Sequence, residues 1–422
     1  MFPAFLNAQT VLSLRNAIDS TLKNSFDIQI AENNLLISQK YNSYGVAGAM
    51  PYFGLSATGN KAINDIFQSY STGTETDLKS VNQNNVNASA DMGITLFNGF
   101  KIKATKERLS LLEKQNEYKL NNEIQTSIAV TMIKFYDIIR QQHYLKIMQQ
   151  LLEVSEKKLE IINTKKGVGM ASGVDIMQAE LDVNTALENV KQQQLLLEHS
   201  KSDLLVAMSS KTMYSFNITD SIIVSRRSDI NPDSLKVILK ENPMYLSVMQ
   251  QTLISEQLAK EAAANLYPSL KLNASYDYLV NDNSAGNMLL SRINGPSAGL
   301  TVQIPLYYGG NYRVQREAAI IGISNARLIE ENTLLTLEAN AYKLYLTYIK
   351  NIEQAEEQKK SHEMAGKLVD LVMQNFELNK ATILEVKAAQ ATYENSAFML
   401  VNLQYSAKTA EIQLLALMYK LN

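Results

Sequence analysis

Few side chains in this 422-residue chain carry the chemistry of catalysis or metal binding, and they stand apart. His143, His199 and His362 are the three histidines, and none has a companion at the spacing a zinc or copper site uses. His362-Glu363-Met364-Ala365-Gly366 begins as a zinc-protease helix does but lacks the second histidine. There is no cysteine, which removes thiolate ligands, thiol nucleophiles and disulfides together. Gly167-Val168-Gly169, with Gly173 beyond, resembles a phosphate-cradling loop, yet no Gly-Lys-Ser/Thr follows and a long helical stretch precedes it. A turn between helices accounts for those glycines better. No nucleophile–base pair or paired carboxylates can be assembled, so the sequence predicts no catalysis, no cofactor and no metal. Two carboxylates do have a meaningful spacing: Ser172-x-x-Asp175 and Thr382-x-x-Glu385 read as helix starts, the second as a full capping box.

The elements that hold these residues follow from where the chain lacks helix breakers. Residues 100–166 and 174–231 contain neither proline nor glycine, and 311–422 contain no proline and only Gly322 and Gly366. Ile124, Ile128, Phe135, Ile138, Leu145, Leu152, Leu159 and Ile162 recur at three-, four- and seven-residue steps, the seam of coiled-coil-like packing. Helices are expected over 10–47, 100–166, 172–210, 232–265, 311–378 and 382–420, the two longest reaching about 100 Å. With 40 basic against 42 acidic residues the net charge is −2, without the basic excess of a nucleic-acid groove. No run of about 18 apolar residues exists to span a bilayer as a helix.

The chain is one unit written twice. Leu96-Phe97-Asn98-Gly99 matches Leu306-Tyr307-Tyr308-Gly309, and Ser172-Gly173-Val174-Asp175-Ile176 matches Thr382-Ile383-Leu384-Glu385-Val386, both about 210 residues apart. Pro51 pairs with Pro268 at a slightly larger offset. The organisation expected is a first repeat over 9–211, a linker or equatorial element over 212–231 containing Ile222, Ile223 and Val224, and a second repeat over 232–422. Residues 1–8 read either as the remnant of a signal peptide or as an ordinary disordered terminus.

Strict alternation marks four strands, because a period of two puts every second residue on one face. Ala88, Ala90, Met92, Ile94 and Leu96 oppose Ser89, Asp91, Gly93 and Thr95. Stretches 270–280, 298–306 and 53–59 repeat the pattern, which places Leu272, Val302 and Ile304 on apolar faces that suit lipid. Phe97, Phe100, Tyr307 and Tyr308 fall where an aromatic girdle belongs. The connections Asn60–Val86 and Asn281–Pro296 are polar and read as exposed loops. A soluble amphipathic sheet would alternate likewise. Four strands cannot close a barrel and hydrocarbon tolerates no open edge, so a membrane sheet of this kind must be completed by further copies. The competing class is a soluble or peripheral coiled-coil scaffold with a small β-tip.

In its duplication, the prolines leading into the strands, the strand exits, and the Ser/Thr-x-x-Asp/Glu turns followed by Gln178-Ala179-Glu180 and Ala388-Ala389-Gln390, the chain resembles the TolC-type outer-membrane factor (outer membrane efflux protein) family. The resemblance covers nearly the whole chain and rests on order and spacing. It implies a mainly α fold with transmembrane β: a long-helix α-barrel plus four strands per protomer, completing a twelve-stranded barrel as a homotrimer. It implies a passive exit duct in the outer membrane of a Gram-negative-type bacterium, with a periplasmic extension, serving tripartite efflux or type I secretion. Its partners would be outer-membrane lipid, a periplasmic adaptor (membrane fusion) protein and an inner-membrane transporter. The family's adaptor-contacting tip motif is matched by Val168, Gly169 and Met170, and in the second half by Leu378, Asn379 and Lys380, where the glycine is absent. The family's aperture carboxylates are matched by Glu385, with Asp175 its counterpart in the first repeat; the next aspartate position is Ala388, and the family's locking arginine falls on Ala381.

Overall fold

The computed structural model describes residues 10–222, 226, 227, 230, 238–286 and 288–421. The expectations for residues 1–8 and for Ile223 and Val224 lie outside the described residues. The chain divides into two compact units, each drawing on both sequence repeats.

The first unit, Met1–Asn34, Glu117–Ser247 and Glu331–Asn422, is helical. Helix α1 spans Leu14–Asn24 and α2 begins at Phe26 and runs to Tyr41. The single helix expected over 10–47 is therefore broken at Ser25, whose N–H closes α1 on Thr21 O while its hydroxyl accepts from Ile28 N at the start of α2. Helix α3 (Lys101–Gly167) turns into α4 (Gly173–Ala207), and α6 (Asn311–Glu377) turns into α7 (Ile383–Leu417). Corresponding helices of the two repeats have equal lengths: α3 and α6 have 67 residues each, and α4 and α7 have 35 each. The linker contributes a two-residue strand β4 (Phe216–Asn217) that pairs in parallel with β1 (Thr10–Val11).

Amphipathic faces of these helices meet in four buried clusters. Phe135, Ile138, Leu204, Met208 and Phe216 form one beneath β4, while Ile128, Leu337, Ala341, Tyr348, Ile412 and Leu414 form another. The amide of Gln125 pairs both ways with the backbone of Leu421, fixing the chain's end on α3. The expected seam is partly displaced: Leu152 and Leu159 are half-buried, and the buried line runs Leu151, Ser155, Lys158, Ile162.

The second unit, Leu35–Asn116 and Val248–Glu330, carries the sheet. Its strands are β2 (Tyr52–Ser69), β3 (Glu75–Asn98), β5 (Ser269–Asn283) and β6 (Leu290–Gln303), antiparallel in the order β2-β3-β5-β6. Helix α5 (Pro243–Ala264) leads into β5; of the helix expected from 232, residues 232–237 lie outside the described residues. The stretch expected as a loop, Asn60–Val86, is instead mostly strand, with its turn at Gly73. Alternation there is masked by Asn and by a bulge between Asn64 and Ile66, which is why the sequence hid it. Strands β2 and β6 have no partner on their outer sides among the described residues. No helix among these residues is long and apolar enough to cross a membrane.

Candidate functional site

Antiparallel register sorts the sheet's side chains, since directly paired residues share a face. One face stacks Phe53, Met92, Ala274 and Ala298 across the four strands, then Leu55, Ala90, Tyr276 and Pro296. Leu272 joins Ile94 and Leu300 on that face, and Val302 joins Leu270. Leu55, Leu300 and Val302 stand 88%, 65% and 63% exposed, an apolar surface that nothing among the described residues covers. Ile304 is exposed as well but lies just past the end of β6.

The other face is small and polar. Gly54, Asp91, Ser275 and Ser297 form one rung, and Ser56, Ser89, Asp277 and Gly295 the next. Hydroxyls hold the carboxylates in place: Ser89 Oγ donates to Asp91 at 2.8 Å and Ser275 Oγ to Asp277 at 2.7 Å. Tyr52 lies over its cross-strand partner Gly93, where any Cβ would meet the ring at 2.4 Å.

The strand exits are tight. A bulge at Leu96 sets Phe97, not Leu96, opposite Leu270, so Phe97 joins the apolar face and meets Phe100 edge-on at 5.3 Å. Gly99 has φ +65° and no room for a side chain, because a Cβ would lie 2.6 Å from Ala264 O. Phe100 itself has φ 65°, where the second repeat has Gly310 at 76°. Tyr307 and Tyr308 are exposed, and Tyr308 stacks on Tyr312 at 5.2 Å.

In the helical unit the two turns are built alike. After α3, Gly169 adopts φ +79° and Met170 N returns to Lys165 O, closing the helix. After α6, Asn379 takes the same conformation at φ +59° and Lys380 N returns to Asn375 O, so asparagine performs the glycine's task. Val168, Met170 and Leu378 are exposed apolar tips at 69%, 61% and 63%, with Gly169, Asn379 and Lys380 exposed beside them. Both carboxylates cap their helices. Ser172 N and Oγ donate to Asp175 at 2.8 Å, and Thr382 N and Oγ1 donate to Glu385 at 2.6 and 3.0 Å. These bonds, backbone first, hold both carboxyls below their usual range.

Several contacts tie the two helical hairpins. Lys165 donates to Phe376 O at the end of α6 and lies over the Phe376 ring. Tyr393 Oη donates to Gln150 at 3.0 Å, and Gln390 to Ser155 at 3.2 Å. The least expected is ionic: Lys158, 1% exposed, meets Asp182 at 2.5 Å, and Asp182 also receives Gln178 and, from α7, Lys387 at 3.2 Å. Burial pushes the Asp182 carboxyl up, but the hydrogen bonds from Lys158, Gln178 and Lys387 and the Lys158 charge outweigh it, and it sits below its usual range. The one signal available in the sequence was a lysine at a heptad core position between Leu151 and Ile162.

Residues 236–418 match the family described as "Outer membrane efflux protein". That stretch belongs to the outer membrane efflux protein family. No curated protein matches the chain in sequence. Among solved structures, the outer membrane protein VceC of Vibrio cholerae shares 15% identity over 96% of this chain and 95% of its own, with a TM-score of 0.78. The CmeC outer membrane channel of Campylobacter jejuni shares 16% over 96% and 85%, TM-score 0.76. The MtrE outer membrane channel of Neisseria gonorrhoeae shares 13% over 96% and 88%, TM-score 0.74. These likenesses establish the fold: long helices with a four-stranded sheet, as in outer-membrane channels. Together with the family match over residues 236–418, they give the chain the TolC-like architecture of long helices and a four-stranded sheet.

Proposed function

We propose that three copies of this chain close their sheets into one twelve-stranded barrel and act as the passive exit duct of a tripartite efflux or type I secretion system. The observation that carries this is the open sheet, apolar on one face, polar on the other and, among the described residues, unpaired at both edges. Unpaired edges are not tolerated in hydrocarbon, and three copies supply about twelve strands, a permissible even number. The apolar face, with Leu272 and Val302, meets lipid; Phe97, Phe100, Tyr307 and Tyr308 sit at its helix-side margin as an aromatic girdle. The polar face lines the conduit. The turns at Val168–Met170 and Leu378–Lys380 form the periplasmic tip that an adaptor engages, and copies of Glu385, with Asp175, line the aperture that opens when an inner-membrane transporter docks.

Reconstitution tests this. The protein extracted in detergent is expected to run as a heat-modifiable trimer and to conduct ions in a planar bilayer, and Glu385→Gln to reduce cation preference. Ser275→Cys should react with a charged thiol reagent from the aqueous conduit while Leu300→Cys should react only with a lipid-soluble one. A monodisperse protein in buffer without detergent would defeat the proposal.

A further inference from the structure

An apolar rung stands part-way along the polar face of the sheet. Two residues beyond Asp277 on β5 comes Leu279, paired directly with Ile293 on β6 and with Asn87 on β3. By register both apolar side chains stand on the same face as Asp91, Ser275 and Asp277, and Ile293 is 59% exposed. The rung beyond reverts to Asn281 and Ser291. Leu279 is half-buried, and exposing Ile293 among polar rungs costs solvation free energy; neither belongs to a buried cluster.

Its neighbours have charge. Asp277 precedes Leu279 by one step of the alternation, roughly 7 Å along the strand. Asp91 sits diagonally from Asp277, because Ser89 pairs with Asp277 and Ser275 with Asp91. The basic residue in this part of the face, Lys271, is six positions from Asp277, on the order of 20 Å away. A ligand lying against Leu279 and Ile293 therefore meets carboxylate before it meets amine.

We infer that the Leu279–Ile293 rung, with Asp277 and Asp91 beneath it, is a contact site for amphiphilic organic cations passing through the duct. The inference rests on the reading that the polar face lines a conduit. The apolar body of the cation covers Leu279 and Ile293, and its charge lies toward Asp277. Twelve strands place the conduit between barrels of about eight strands, which side chains fill, and those of about sixteen, which hold an open channel. Inward side chains thus reach a molecule of drug size.

The test is block of single-channel current by the reconstituted full-length protein. Tetraphenylphosphonium, an apolar cation, is compared with tetramethylammonium, which lacks the apolar body, and tetraphenylborate, its anionic counterpart. Tetraphenylphosphonium should block at concentrations where neither of the others does. Leu279→Asn with Ile293→Asn should raise its half-blocking concentration about tenfold, block being read as the fraction of each channel's own unblocked current. Asp277→Asn should narrow the difference between tetraphenylphosphonium and tetraphenylborate. If the double variant does not assemble, Ile293→Thr, at an exposed position, should give a rise of about threefold. Equal block of wild type and variants overturns the inference while leaving the duct intact. A wild type without conductance, or Ser275→Cys closed to charged reagents, overturns the duct itself.

Discussion

Removing one carboxylate tests how the helical unit is held together. In Asp182→Asn, Lys158 stays buried at 1% exposure with its countercharge gone, and the carbonyl of asparagine replaces only part of the interaction. A buried charge stripped of its partner costs about 3–5 kcal/mol. The second contact, from Lys387, contributes little to that figure because Lys387 is 59% exposed; surface pairs are worth about 0–1 kcal/mol. Three variants should therefore separate clearly. Lys387→Gln unfolds close to wild type, Asp182→Asn unfolds far more easily, and Lys158→Met with Asp182→Leu recovers most of the loss, since an apolar pair removes the desolvation penalty. The assay is loss of helical circular dichroism against denaturant in one detergent at fixed protein concentration, because assembly makes midpoints concentration-dependent. A double variant as unstable as Asp182→Asn would show that geometry, not charge, binds this junction. Acid should act in the same direction. The folded carboxyl lies below the unfolded value of about 3.9, so its contribution is complete above that pH and is lost as pH falls through the folded value.

Other outcomes follow from particular positions. Gly99→Ala should destabilise by more than the left-handed strain alone, about 1–2 kcal/mol, because its Cβ also strikes Ala264 O, whereas Gly309→Ala, with nothing within 4 Å, should show the strain alone; paired thermal midpoints measure the difference. Asn379→Gly should match or exceed wild-type stability and Asn379→Val fall below it, read by the same melts, since φ is +59° there. Burial lowers the His362 imidazole below its usual value, so stability should fall as pH drops from about 6.5 through the folded value, and His362→Gln should flatten that slope in a pH series of denaturant titrations.

What the sequence disclosed was whatever depends on period and punctuation. The 67-residue helices were visible because no proline or glycine interrupts them, and the caps at Ser172 and Thr382 because their partners lie three residues on. The outer halves of β2 and β3 were not visible, since the asparagines from Asn82 to Asn87 carry no contrast between faces and read as loop. A bulge at Leu96 shifted the alternation by one residue, which only pairing with β5 reveals. At Asn379 the sequence shows only that the glycine is absent, although asparagine tolerates the left-handed region and keeps the turn. The Asp182 junction draws on residues 158, 182 and 387, and no local pattern joins positions so far apart.

The matched helix lengths bear on how such a chain can change over generations. Cluster contacts among Ile162, Ile176, Met373, Phe376 and Val386 bind the two turns side by side. A deletion of one heptad in α3 and α4 alone would slide one turn past the other by roughly 10 Å and pull that cluster apart. Growth or shortening is tolerated only when both halves take the same step, so gaps among descendants should occur as synchronised pairs about 210 residues apart.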